Sequence, residues 1–149
     1  MKKIYTIGFT KKSEEKFFGL LVDNSVQKII HVRLNNSSQL AGFTKGDDLK
    51  YFLKAIGDIG YVHADIFAPT KEILDDYKKG KIDWNTYELR YDELMQKRKV
   101  GEYIANKGKQ YWEDTCLLCS EELPEQCHRR LAVSKILAVF PELDVKHLF

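Results

Sequence analysis

Thr115-Cys116-Leu117-Leu118-Cys119-Ser120 decides the fold, because its side chains are small or apolar on both alternating faces. A strand of that kind belongs inside a sheet covered on both sides, the usual situation of parallel sheets. The chain continues through Glu121-Glu122-Leu123-Pro124-Glu125-Gln126-Cys127-His128-Arg129-Arg130, so a polar segment follows directly on a buried strand.

Four further β-rich runs lie around it: Ile4–Phe9, Lys28–Leu34 with its Ile29-Ile30 pair, Gly60–Asp65 and Val145–Phe149. Helical patterns separate them. Ser13 is placed to cap a helix whose first turn carries Glu14 and Glu15 and whose apolar face is Phe17, Phe18, Leu20 and Leu21. Asp47 or Asp48 opens a second, running through Leu49, Phe52, Leu53 and Ile56 to Gly57. Thr70 caps Lys71–Lys79, and Gly80 stops it. Asp83 starts a long helix with Trp84, Tyr87, Tyr91 and Leu94 as a core-facing stripe, interrupted near Gly101 before Tyr103 and Ile104. The last helix is expected to begin near Pro124, to bury Val133, Ile136, Leu137 and Phe140, and to end at Pro141. Strands alternating with helices define an α/β chain: a single domain with a mostly parallel sheet, flanked by helices on both faces and joined by right-handed crossovers.

The bulk composition agrees. At 149 residues, 44% apolar and 31% charged, the chain is of one-domain size and ordinary globular make-up. No stretch approaches the roughly 18 apolar residues of a membrane span, and Met1-Lys2-Lys3 leads straight into a strand with no signal core, so a cytoplasmic protein is expected. The 24 basic and 22 acidic residues leave a formal charge of +2, which neither demands nor excludes nucleic acid. The basic clusters Lys78-Lys79 with Lys81, and Lys97-Arg98-Lys99, sit among acidic neighbours and read as solvated surface. The sequence sets no oligomeric state.

In open α/β sheets ligands bind beyond the carboxyl ends of the strands, here the segments Gly8–Ser13, Arg33–Gln39, Asp65–Thr70 and Ser120–Arg130. Arg33 at a strand end must be paired or face a cleft, since burying it alone is prohibitive. Glu121 is the natural partner. The pair reads either as an internal ion bridge or as a guanidinium fork for a phosphate or carboxylate, positioned by the glutamate. Cys127 is a nucleophile candidate, flanked by an imidazole and two guanidiniums, though as a helical neighbour His128 diverges from it by about 100°. A buried structural cysteine is the plainer reading of Cys127, and a hydrogen-bonded structural residue that of His128, which as a functional group would be a general acid or base. His31 and His63 read as structural strand residues, and His147 carries no signal. Three cysteines within twelve residues do not form a secreted disulfide pattern. Neither do Cys116-x-x-Cys119 and Cys127-His128 form a convincing zinc site, because three-residue spacing puts two strand side chains on opposite faces. No metal or cofactor is called for. Phosphate-loop, dinucleotide, zinc-protease and esterase signatures are all missing.

Cys119-Ser120-Glu121 followed by Cys127-His128-Arg129, the opening Tyr5-Thr6-Ile7-Gly8, and His31-Val32-Arg33 with Ser37 and Ser38 after it together resemble the domain-of-unknown-function 488 family. The resemblance spans essentially the whole chain. Two departures stand out: members commonly read Thr-Ile-Gly-His-Ser where this chain has Phe9-Thr10 after Gly8, and His31 replaces the aspartate before Val-Arg. Gly8, Arg33, Glu121, Cys127, His128 and Arg129 are retained, which implies inherited ligand binding more directly than inherited catalysis. The family supplies no reaction.

Three functions compete. In the leading one, an enzyme or enzyme-like domain takes a small anionic ligand, a nucleotide or phosphorylated metabolite. Gly8, Arg33, Ser37, Ser38 and Arg129 bind it, and Glu121, His128 and Cys127 carry the chemistry. The alternatives are a nucleic-acid-binding protein using Arg129, Arg130 and the lysine clusters, and a non-catalytic interaction module whose polar motif organises the core.

Overall fold

A computed structural model describes residues 2–8, 12–32, 46–119 and 128–149. Five strands form one sheet: β1 (Lys3–Gly8), β2 (Lys28–His31), β3 (Gly60–His63), β4 (Thr115–Cys119) and β5 (Asp144–Leu148). Their order across the sheet is β3-β2-β4-β1-β5, and every pairing is parallel. The helices are α1 (Glu14–Asp23), α2 (Gly46–Gly57), α3 (Lys71–Lys78), α4 (Trp84–Lys97), α5 (Val100–Lys107), α6 (Lys109–Trp112) and α7 (His128–Val139), with a 3₁₀ turn at Asp65–Phe67.

All five residues of β4 are buried, as its composition requires of the middle strand. Its side chains divide between two cores. Cys116 and Leu118 join Tyr5, Ile7, Ile29 and the helices α1 and α2. Leu117 and Cys119 join Ile4, Ile30, Val32 and the helices α3 to α7. Helices therefore cover both faces, as expected of an α/β sheet.

The local signals explain most boundaries. Ser13 accepts from the Lys16 amide, Thr70 from Ile73 and Asp83 from Thr86, each satisfying a first-turn donor that the helix itself cannot. Tyr87 and Tyr91 are buried as the stripe on α4 requires, with Trp84 and Leu94 partly buried beside them. On α7, Val133 and Ile136 are buried while Leu137 and Phe140 are half-covered. The expected start at Pro124 lies outside the described residues.

Two expectations need correction, and one short helix was not foreseen. The break between α4 and α5 falls at Lys99, whose φ of 55° is left-handed, and Gly101 lies inside α5. Lys109–Trp112 adds a one-turn helix after Gly108, whose φ of 82° suits only glycine; it buries Trp112 completely, with the indole N–H donating to the Ile104 carbonyl. On α2 only Leu49 and Leu53 face the core, while Phe52 and Ile56 are exposed.

The connections fix where a ligand crevice can form. From β1 the chain crosses over β4 through α1 on one face to reach β2, then passes through α2 on that same face to β3. From β3 it returns through α3–α6 on the other face to β4, and from β4 through α7, again on that face, across β1 to β5. All four crossovers therefore share one hand. The chain leaves β4 towards one face, and leaves both its neighbours, β1 and β2, towards the other.

Candidate functional site

Chain segments that diverge to opposite faces open a crevice at the carboxyl ends of the strands they leave. Here β4 has such a divergence on each side. Gly8 ends β1 directly opposite Cys119 at the end of β4. The Val32 amide donates to the Leu118 carbonyl, which carries β2 to the same level. The polar segments singled out in the sequence follow on from these three ends.

Two of the expected site residues lie in the first turn of α7. Arg129 is completely buried, among the largest side chains with no exposure at all. Its charge reaches Cys116: burial pushes that thiol well above its usual range, and the Arg129 charge opposes the rise. His128 is also buried, with its Nε2 2.7 Å from the Val32 carbonyl oxygen. A carbonyl only accepts, so Nε2 carries the proton and donates it. One side chain thus ties the start of α7 to the end of β2.

The same ring packs on Cys119, whose Sγ is 3.6 Å from Nδ1 and 3.9 Å from Nε2. An in-line bond to Nδ1 would leave Nε2 roughly 5 Å or more away. Near-equal distances mean that the sulfur rests against the imidazole and is not aligned to hand it a proton. Tyr91 contributes a tilted ring 6.3 Å away. His128 is thus held as a clamp between α7 and the end of β2.

Gly8, His128 and Arg129 are brought to one edge of the sheet. Arg33, Ser37, Ser38, Glu121 and Cys127 lie outside the described residues. Cys116 and Cys119 point into opposite cores, so the two thiols cannot share a tetrahedral ion. Among the described residues no group of three or more histidines, cysteines or acidic side chains is gathered closely enough to hold a metal.

Sequence reasoning missed Lys12. It sits immediately before the α1 cap, on the carboxyl side of β1, and is only 8% exposed. Lysine is almost never buried to this degree. Its place within the Gly8–Ser13 segment was the available signal, but nothing in its neighbours distinguishes it from an ordinary surface lysine.

The other histidines lie within strands. His31 is fully buried beneath the α1/α2 layer, its Nδ1 2.9 Å from the Tyr61 hydroxyl and its ring 5.7 Å from that of His63 on the adjacent strand. His147 bonds Thr6 across the β1–β5 pair, a role its sequence position does not announce. At β3 the Arg98 guanidinium closes the turn that follows the strand: one Nη donates to the carbonyls of Ala68 (2.7 Å) and Ile66 (2.9 Å), with that of Asp65 at 3.3 Å.

No curated protein and no solved structure matches this sequence. A family model described as Domain of unknown function DUF488 matches residues 13–136, which takes in β2, β4, the Cys-x-Glu and Cys-His-Arg motifs and most of α7. The chain belongs to the domain-of-unknown-function 488 family.

Proposed function

We propose that this chain binds a small anionic ligand, a nucleotide or phosphorylated metabolite, at the carboxyl ends of β1, β2 and β4, and acts on it as an enzyme. The observation that carries the reading is Arg129: a permanently charged guanidinium with no exposure, in the first turn of the helix that leaves the central strand. It stands at the carboxyl end of the sheet, where open α/β sheets take their ligands, and the planar fork of arginine suits phosphate or carboxylate. Buried Lys12 on the neighbouring crossover supports the same polarity.

In this reading Arg33 and Arg129 hold the anion, Gly8 allows its close approach, and Ser37 and Ser38 donate to its oxygens. Glu121 moves the proton, with His128 or the Cys127 thiol as the partner group. Arg98 and Arg130 count against nucleic acid as the ligand. The first is committed to backbone carbonyls, and the second to Glu88 at 2.8 Å, with its guanidinium over the Trp84 ring. We place the protein in the cytoplasm, where the thiols of Cys116 and Cys119 stay reduced; no helix among the described residues is long and apolar enough to cross a membrane.

The test is a thermal-shift screen against nucleotides, sugar phosphates, simple anions and short oligonucleotides. A ligand at about 100 times its Kd adds roughly 2.7 kcal/mol, or on the order of 5–10 °C for a domain of this size. The expected hit is lost in Arg33→Ala and Arg129→Lys while both variants remain folded. Binding that persists unchanged in both overturns the assignment. A hit confined to oligonucleotides, falling steeply with salt, would transfer the function to nucleic-acid binding.

A further inference from the structure

The part-buried basic side chains that join helices in this fold meet carboxylates: Arg90 reaches Asp76, Arg130 reaches Glu88 and Lys135 reaches Asp92. Lys28 does not. It is the half-buried first residue of β2, and its Nζ donates to the Tyr111 carbonyl at 2.8 Å while standing 3.1 Å from the centre of the Tyr111 ring. The charge that acts on it is another ammonium, that of Lys107 at the end of α5, 5.2 Å from the same ring and 5.4 Å from the ring of Tyr103. Among the described residues no carboxylate is within ion-pair distance of either lysine. Burial, then the Lys107 charge, lower the Lys28 pKa to about 8. At about pH 7.5 roughly a quarter of such an amine is neutral, against about one part in a thousand for an ordinary lysine. Desolvation and an adjacent cation are the conditions that make a lysine nucleophilic. One side of it is open: exposed Gly60 on the edge strand β3 is its register partner, and the position of a Cβ there, 3.7 Å from Lys28 Cγ, is empty. This is the amino end of β2, away from the crevice assigned to the anion.

We propose that Lys28 is a modification site for carbon dioxide, its neutral amine forming a carbamate that pairs with the Lys107 ammonium. The nitrogen lone pair makes the new N–C bond, one C=O π pair moves onto oxygen to complete the carboxylate, and an N–H proton leaves to water. Nothing is oxidised or reduced. A neutral amine has two hydrogens for the Tyr111 carbonyl and ring face, which leaves its lone pair in the third position, and the carbamate nitrogen keeps one hydrogen for the carbonyl. Two features select this reagent. Carbon dioxide is small and uncharged, so it needs no cavity beyond the space at Gly60. Its product is also an anion, so the addition turns a like-charge pair into an ion pair, whereas an acyl group would only neutralise Lys28. The titratable groups gathered around Lys28 are Lys107 and Tyr103 on α5 and Tyr111 on α6; Gly60 on β3 and Thr115 on β4 add none. Burial raises the pKa of both phenols, so the two lysines alone set the charge here near neutral pH.

The test incubates the full chain with carbon-13-labelled bicarbonate, which equilibrates with dissolved carbon dioxide, at about pH 7.5. Triethyloxonium ion then ethylates any carbamate, so that it survives digestion and is located by mass spectrometry. Lys28 should carry the labelled carboxyl at about ten times the occupancy of any other lysine or more, because far more of its amine is neutral. At constant dissolved carbon dioxide its occupancy should rise through the range around pH 8, while that of the other lysines stays low. Lys107→Met changes an exposed side chain and should leave the fold intact, yet lower the occupancy of Lys28 by about threefold or more, since both the activating charge and the counter-ion are gone. Occupancy at Lys28 no greater than at the other lysines, or unchanged in Lys107→Met, overturns the proposal. Preferential acetylation of Lys28 by limiting acetic anhydride with no trapped carbon dioxide also overturns it, and would assign the amine to a different electrophile.

Discussion

Replacing His128 separates its two possible roles most sharply. In His128→Phe the ring is kept and the nitrogen removed, so the Val32 carbonyl loses the 2.7 Å donor that joins α7 to β2. Stranding a buried backbone acceptor costs about 1–3 kcal/mol. The bulkier ring must also fit against Cys119 and Tyr91 in a closed site, and overpacking of this kind costs roughly 1–3 kcal/mol. Together these give about 2–6 kcal/mol. At 2–4 °C per kcal/mol for a chain of this length, the melting temperature should fall by roughly 5–20 °C. His128→Gln, whose side-chain amide can still donate to the carbonyl, should recover part of that loss. Calorimetry of the three proteins at one pH and salt concentration provides the comparison. A His128→Phe variant that melts within 1 °C of wild type would refute the clamp and return His128 to a purely chemical role.

Other expectations follow from single contacts. Removing the Arg98 side chain as Arg98→Met deprives the turn after β3 of its carbonyl ligand, and hydrogen exchange of the Asp65–Ala68 amides should accelerate by tenfold or more while the β1 and β4 amides stay protected. Lys99→Gly relieves a left-handed residue between α4 and α5 and should stabilise the fold by about 1 kcal/mol in denaturant unfolding; a destabilised variant would mean that the lysine side chain does more than fill the bend. Lys28 is half-buried, and burial, then the nearby Lys107, lower its pKa to about 8. Its folded pKa lies below its unfolded one, so between about pH 8 and 10.4 the unfolded chain binds more protons and this group makes stability rise with pH. Lys28→Met should flatten that window in a melting series, because the Tyr111 carbonyl that Lys28 contacts keeps the Thr115 hydroxyl as donor. An equal slope in both proteins would place the Lys28 pKa near normal, held there by the Tyr111 carbonyl and ring face.

The fold was readable where one residue type has one physical meaning. Ser13, Thr70 and Asp83 cap helices because their oxygens meet orphan amides. The doubly apolar Thr115–Cys119 run could only be an inner strand. Reading weakened where periodicity could not distinguish a core face from an exposed one: Phe52 and Ile56 continue the pattern of Leu49 and Leu53 but face outward. It also weakened where a bend depends on a conformation that composition does not advertise, as at Lys99. For the candidate site, the strand-end rule located Gly8, His128 and Arg129 at one edge. The bond from His128 to Val32 spans 96 residues of sequence, and the contact with Cys119 arises only from β4 stopping level with β2. No local pattern encodes either one. Lys12 was invisible for a similar reason, since burial of a lysine is decided by the segments that surround it.

The position of β4 also bears on how the protein is made. Among the described residues β1 has only β4 and β5 as neighbours, and both are encoded more than a hundred residues after it. While the chain is being synthesised, β2 and β3 can pair early, but β1 has no strand to join until Thr115–Cys119 has left the ribosome. Pairings separated by so much chain form slowly, and an unpaired apolar strand is a site for association with other nascent chains. β1, with the apolar Ile4 and Ile7, is thus the strand that waits longest for a partner, and its wait is ended by a five-residue strand near the other end.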